Sequence, residues 1–227
     1  LELFRRYGCT LQTGGNDQWG NLISGVELIR KADGGSAHVM TTPLITKSDG
    51  TKFGKTAGGA VWLDPQMMSP YDFYQFWLQT ADDDVVNMLK VFTFRSKEEI
   101  EELQVQVIEK PHAREAQKAL ARDVTRMVHG QGALDQVLLA TDALWGKGDL
   151  WALDPDTLQS AVAHLPTGTF VPGESTVVDA VLAVGFEKGR QAALRLIKQG
   201  GLSVNNQKVL DPDQVLGAEV ILPGDRV

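Results

Sequence analysis

The sequence predicts an α/β segment, then an all-α segment, then a small α+β module. Three observations carry that order. Residues 1–63 alternate strand, turn and helix signals, apolar positions recur almost wholly at helical spacing from Asp64, and residues 175–227 mix two helical stretches with short extended runs.

In the first segment, Gly14-Gly15-Asn16-Asp17-Gln18-Trp19-Gly20 precedes Leu22, Ile23, Val26 and Ile29, the inward face of a helix that ends near Lys31 and Gly34-Gly35. His38 to Thr46 reads as extended through Pro43-Leu44-Ile45, and Ser48-Asp49-Gly50 has turn chemistry. In the second segment, Ser69-Pro70 opens a helix whose Phe73, Tyr74, Phe76 and Trp77 are expected in the core. Ser96 and Glu99 form a capping box ahead of Ile100, Leu103 and Val107. Pro111 is expected as the first-turn proline of a helix through Ala116, Leu120, Val124 and Met127. A further helix covers Leu134 to Leu144, Asp154-Pro155 starts a short one, and residues 166–174 read as a linker. The last segment begins with a helix around Val177 to Val184. A second runs from Lys188 to Gln199 with Ala192, Leu196 and Ile197 inward, stopped by Gly200-Gly201. Leu202-Ser203-Val204 and Lys208-Val209-Leu210 are expected as strands around Asn205-Asn206, and Val220-Ile221-Leu222 as another.

Composition narrows the function classes. At 227 residues, 43 % hydrophobic and 22 % charged, the chain has the balance of a globular protein with one large or two smaller domains. No run of about eighteen apolar residues exists, so no membrane-spanning helix is expected. Leu1 to Gly8 has no apolar signal-peptide core, and a cytoplasmic location is the default expectation. Cys9 is the single cysteine, which excludes an internal disulfide and a cysteine-rich zinc site. The histidines His38, His112, His129 and His164 have no metal-ligand spacing, and no metal site is expected. The formal net charge is −7, yet Lys188, Arg190, Arg195, Lys198 and Lys208 fall in a run from 188 to 210 without one acid. Such a run is either a solvated face or a local surface for a polyanion.

Two stretches look reactive. Lys52-Phe53-Gly54-Lys55-Thr56 places two ammonium groups three residues apart on a glycine-containing loop, where both reach one triphosphate. A loop that closes late would add positive charge only as diphosphate departs, which stabilises a transition state. Two solvated lysines on a hairpin remain the plainer reading. The G-x-x-x-x-G-K-S/T phosphate loop of nucleotide hydrolases does not fit, because Gly50 leaves only three residues before Gly54 and no good helix start follows. The second stretch is Gly14 to Asn21. Paired glycines admit a ligand close to the backbone, Asp17 accepts from two ribose hydroxyls or an ammonium, and Gln18 donates to a carbonyl that gains charge during reaction. Its simpler reading is a glycine loop with Asp17 as a helix cap and Trp19 in the core.

Together, Gly14 to Asn21, Pro43 to Thr56, Trp62-Leu63-Asp64 and Tyr74-Gln75-Phe76-Trp77 resemble the bacterial tyrosyl-tRNA synthetases. The 52–56 pentapeptide looks like that family's form of the class I "KMSKS" signature. Gly189 to Asn205 is similar to the S-four-type RNA-binding domain those enzymes carry, which the related tryptophanyl enzymes lack. The resemblance implies the second half of a Rossmann-like class I nucleotide-binding domain over 1–63. It further implies an α-helical anticodon-binding domain over 64–165 and, after the 166–174 linker, an incomplete S-four-type domain over 175–227. It implies a ligase that activates L-tyrosine with ATP, with Mg2+ accompanying the ATP and no tightly bound cofactor, and transfers tyrosine to tRNA(Tyr) as a homodimer, without membrane or DNA partners. Lys52, Lys55 and Thr56 would bind the ATP phosphates, Gly15 and Asp17 the ribose of the adenylate, and Gln18 the reacting carboxyl group. Leu44 and Ile45 would approach adenine through their backbone, Gln12 would line the tyrosine pocket, and Lys188, Arg190, Arg195, Lys198 and Lys208 would grip tRNA.

One departure is plain: the sequence contains no H-x-G-H, the family's other signature. The chain therefore reads as the carboxy-terminal portion of a synthetase, expected to form no adenylate alone. The alternative is a fragment that binds tRNA or another RNA and does no chemistry.

Overall fold

The computed structural model describes residues 1–46, 48, 50, 51, 53, 60–224 and 227. These form two units, Leu1–Ala60 and Val61–Val227. In the first, helix α1 (Glu2–Tyr7) precedes strand β1 (Leu11–Gly15), helix α2 (Trp19–Asp33) and strand β2 (His38–Thr42). The strands pair in parallel from Leu11↔His38 to Gly15↔Thr42. Parallel neighbours need a long crossover, which α2 supplies. Leu22 and Ile29 are the fully buried positions of α2, and Gly34 ends it in a left-handed conformation (φ 62°). Arg5 makes a two-pronged bond to Asp33 (2.8 and 2.7 Å), joining α1 to the end of α2 and holding the Asp33 carboxyl below its ordinary pKa. Of the stretch expected to be extended to Thr46, only His38–Thr42 pairs with β1, since Pro43 has no N–H to carry that ladder further; Thr46 sits in an isolated bridge.

The second unit begins with α3 (Pro70–Leu78), α4 (Asp82–Phe92), α5 (Lys97–Glu109), α6 (Glu115–Leu144) and α7 (Pro155–Val162). Side-chain caps set several starts. Ser69 accepts from the Asp72 N–H, Asp154 from the Thr157 N–H, and Ser96 with Glu99 forms the complete capping box. Phe73, Tyr74 and Trp77 are buried as expected, and Phe73 meets Trp77 edge to face at 6.1 Å. Pro111 departs from expectation. It begins a short 3-10 turn, Pro111–Ala113, and α6 starts only after Arg114, which is left-handed at φ 53°. The Arg114 guanidinium explains the detour, since it donates to the main-chain oxygen of Leu78 at 2.6 Å. Met127 is half exposed rather than inward. The helices expected on either side of residue 130 are one run broken at Gly130 (φ 84°, ψ 171°).

The carboxy-terminal module holds α8 (Val177–Ala183), α9 (Arg190–Lys198) and the antiparallel strands β3 (Ser203–Val204) and β4 (Gln207–Lys208). Asn205 and Asn206 turn between the strands with φ 47° and 65°, a geometry suited to strand twist. Thr176 and Asp179 form a second capping box. Val177, Val178, Val181, Ala193, Ile197, Leu202, Val209 and Leu216 make one core. Two expectations change here. Helix α9 starts at Arg190 and buries Ala193, with Ala192 only half covered. Val220-Ile221-Leu222 is no strand: Ala218–Val220 is a 3-10 turn, its Val220 and Ile221 N–H groups spent on Gly217 and Ala218 oxygens. Residues 166–171 have no helix or strand, and Gly173 N–H bonds to Leu216 O at 2.8 Å. Among the described residues no helix is long and apolar enough to cross a membrane.

His129 lies before the Gly130 break, its ring edge-on to Phe73 at 4.8 Å. Its Nε2 is buried and has no hydrogen-bond partner among the described residues. Burial therefore pushes its pKa below the ordinary histidine value of 6.5. The unfolded chain binds that proton more tightly, so this contribution to stability is complete above pH 6.5 and is lost as pH falls through the lower folded value. The melting temperature is expected to fall between about pH 7 and pH 5, and His129→Phe to flatten that slope, as followed by circular dichroism.

Candidate functional site

Of the first unit's site candidates, Gly15, Asp17 and Leu44 gather at one end of its strand pair. In open α/β sheets, ligands bind beyond the carboxyl ends of the strands, and β1 ends there at Gly14-Gly15. A single 3-10 turn, Asn16–Gln18, then leads into α2. A Cβ built on Gly15 would sit 2.8 Å from Asp17 Oδ1 and 2.9 Å from Leu44 Cδ2, so the absence of a side chain is what lets these groups meet. The structure thus brings Gly15, Asp17 and Leu44 together, although Leu44 is distant in sequence. Asp17 and Gln18 are exposed.

Asp17 is not a helix cap. The residue before α2 is Gln18, and no side chain caps that end or the 3-10 turn. Trp19, expected in the core on the simpler reading, is 52 % exposed. Gln18 Oε1 accepts from Asn21 Nδ2 at 3.0 Å, which leaves the Gln18 Nε2 donors without a partner among the described residues. That arrangement suits a group that donates to a carbonyl oxygen.

Gln12 lies opposite Val39 in β1, three residues before Gly15 and on the other face of the pleat. It lines a cleft with Phe4, Leu22, Val26 and Ile29, apart from the Gly15–Asp17–Leu44 group. Ile45 follows Leu44, and its main-chain oxygen accepts from Phe53 N–H at 3.0 Å. Phe53 is thereby tied to the segment that follows β2. Lys52, Lys55 and Thr56 lie outside the described residues.

In the carboxy-terminal module, Lys188, Arg190, Arg195, Lys198 and Lys208 are all exposed. The acid-free run is only acid-free in sequence: Asp179 and Asp213 approach Arg190 at 3.7 and 3.9 Å. The other four bases make no ion pair among the described residues. No local pattern announced the Arg190 pairing, because its partners come from α8 and from the segment after β4.

Comparison with known proteins identifies the family. The family model for tRNA synthetases class I (W and Y) matches residues 3–146, and the S4 domain model matches residues 178–222. Curated relatives include proteins named tyrosine–tRNA ligase. That of Leifsonia xyli subsp. xyli is 54 % identical over 99 % of this chain and 50 % of its own length, and that of Streptomyces avermitilis 52 % identical over 99 % and 53 %. The chain spans about half the length of these relatives. Among solved structures, a C-terminally truncated Aspergillus nidulans mitochondrial tyrosyl-tRNA synthetase matches with a TM-score of 0.51 and 31 % identity, covering 63 % of this chain and 41 % of the other. The chain belongs to the class I tRNA synthetases of the W and Y family and carries an S4 domain.

Because the groups nearest a Gly15 Cβ are the ends of movable side chains, Gly15→Ala is expected to cost no more than about 1–2 kcal/mol of stability while displacing the Asp17 carboxylate. Urea unfolding reads the first effect and the carboxyl chemical shift of Asp17 the second.

Proposed function

We propose that a polypeptide carrying this chain is a tyrosine–tRNA ligase. The observation that carries the reading is the meeting of Gly15, Asp17 and Leu44 at the carboxyl ends of β1 and β2. Relatives named tyrosine–tRNA ligase, about half identical over 99 % of the chain, support it. In the first step a tyrosine carboxylate oxygen attacks the α-phosphorus of ATP, forming tyrosyl-adenylate and releasing diphosphate. Gly15 lets the adenylate ribose approach the backbone, and the Asp17 carboxylate accepts from its hydroxyls. Gln18 Nε2 donates to the reacting carboxyl group, where charge develops. Leu44 and Ile45 face adenine with their backbone, while Gln12 belongs to the tyrosine side of the pocket.

Lys52, Lys55 and Thr56 bind the phosphates and stabilise the departing diphosphate. Mg2+ accompanies the ATP phosphates; among the described residues no group of three or more His, Cys, Asp or Glu side chains is placed to hold a metal ion. In the second step a terminal ribose hydroxyl of tRNA(Tyr) attacks the adenylate carbonyl and AMP leaves. Residues 1–63 serve as the second half of a Rossmann-like nucleotide-binding domain and 64–165 as the helical anticodon-binding domain. Residues 166–174 link these to the S-four-type module over 175–227, which grips tRNA through Lys188, Arg190, Arg195, Lys198 and Lys208. The working unit is a cytoplasmic homodimer.

The test uses a polypeptide that carries this sequence at the length of its relatives. Lys55→Ala is expected to lower tyrosine-dependent ATP–diphosphate exchange by about a hundredfold, the scale of one lost transition-state donor, with tRNA affinity unchanged. Exchange equal to the unsubstituted protein's refutes the catalytic assignment. Loss of tRNA binding with no exchange activity in either protein points instead to an RNA-binding fragment.

A further inference from the structure

The carboxy-terminal module is seated on the helical body by two side chains outside its own core. Asn206, at the tip of the β3–β4 turn, donates from Nδ2 to the main-chain oxygen of Ala143 at 2.7 Å and reaches that of Gly148 at 3.4 Å. Ala143 belongs to the last turn of α6, whose carbonyls have no partners within the helix. The same oxygen accepts from Gly146 N–H at 3.0 Å. Asn205, the other half of the turn, donates to the main-chain oxygen of Val220, bracing the segment that leads to Leu222. Leu222 is 5 % exposed, and its neighbours are not the module's core. It packs among Ala140, Ala143, Leu150, Leu153 and Leu158 of the helical body. One polar and one apolar contact thus meet at the carboxyl end of α6, near Ala143.

We propose that Asn206 is a positioning residue which, with Leu222, clamps the basic module to the end of α6 so that Lys188, Arg195, Lys198 and Lys208 meet RNA in one fixed orientation. The inference rests on the reading of the chain as part of a tRNA ligase. A module on a free tether must lose orientational freedom when RNA binds, whereas a clamped module has already lost it, and affinity rises accordingly. The clamp fits its residue type. Asparagine tolerates the left-handed turn and offers an amide donor, and few side chains combine both.

The test uses a polypeptide that carries this sequence at the length of its relatives, a tyrosine-tRNA transcript and two variants that keep the turn. Asn206→Gly preserves the left-handed backbone and removes the amide. Asn206→Asp preserves the shape and sets a carboxylate oxygen against the Ala143 and Gly148 carbonyls. Each is expected to raise the Kd for tRNA about five- to tenfold. For Asn206→Gly, which changes no charge, the slope of log affinity against log salt should stay unchanged, because the same phosphates are neutralised. Each variant is also expected to be cleaved faster by a non-specific protease within residues 163–175. Wild-type affinity and wild-type cleavage in both variants overturn the clamp. So does a loss of affinity with a shallower salt slope in Asn206→Gly, which marks a module that has lost its own contacts. If the unsubstituted chain binds no tRNA, the tRNA-ligase reading fails, and the clamp is then decided by the cleavage rates alone: unchanged rates in both variants overturn it.

Discussion

Parallel pairing of β1 with β2 sets their carboxyl ends level, and the candidate site of the amino-terminal unit depends on that. With Gly15 opposite Thr42, the residues leaving both strands emerge on the same edge, and Leu44 arrives beside Gly15 and Asp17. An antiparallel pair of the same strands would set Gly15 beside His38 and leave Leu44 some 15–20 Å away at 3.3 Å per residue. The crossover through α2 makes the parallel arrangement sterically available, and burial of Leu22 and Ile29 holds that helix against the pair. The chemistry proposed for Asp17 and Gln18 therefore traces to a backbone hydrogen-bond register.

Charge is divided along the chain in a way that its total conceals. The α4 helix opens with Asp82, Asp83 and Asp84, while the module's bases stand exposed on α9, on the loop before it and on β4. In the folded molecule Arg190 is partly offset by Asp179 and Asp213, which leaves Lys188, Arg195, Lys198 and Lys208 as the stronger candidates for phosphate contact. Exposed pairs of this length contribute little to stability, so their importance lies in shaping the local potential.

What the sequence showed and what it hid follow the range of the interactions concerned. The starts of α3, α5 and α7 were legible because Ser69, Ser96 and Asp154 cap the N–H three residues ahead. The Asn205-Asn206 turn was legible for the same reason, as was the contiguous Gly14 to Asn21 stretch. Arg114 was not, because its donors answer to carbonyls near the end of α3. The strand expected at Val220-Ile221-Leu222 rested on three apolar residues, yet Ala218–Val220 closes on itself and Leu222 serves a core outside its own module. Short apolar runs do not distinguish these outcomes. Within the site, the roles proposed for Asp17 and Gln18 rest on residue type, whereas the approach of Leu44 to Gly15 and the partners of Arg190 exist only in three dimensions.

The interruption of α6 at Gly130 has a consequence for how this region tolerates change. A backbone at φ 84° and ψ 171° is in a region that glycine alone adopts without strain. The second half of α6 carries Ala140 and Ala143, so the direction in which it leaves Gly130 also aims everything attached to its far end. One pair of torsions acts as an elbow with a set angle. Neighbouring surface positions are open to exchange, while at this one any side chain would redirect the outer half of the helix and its cargo together.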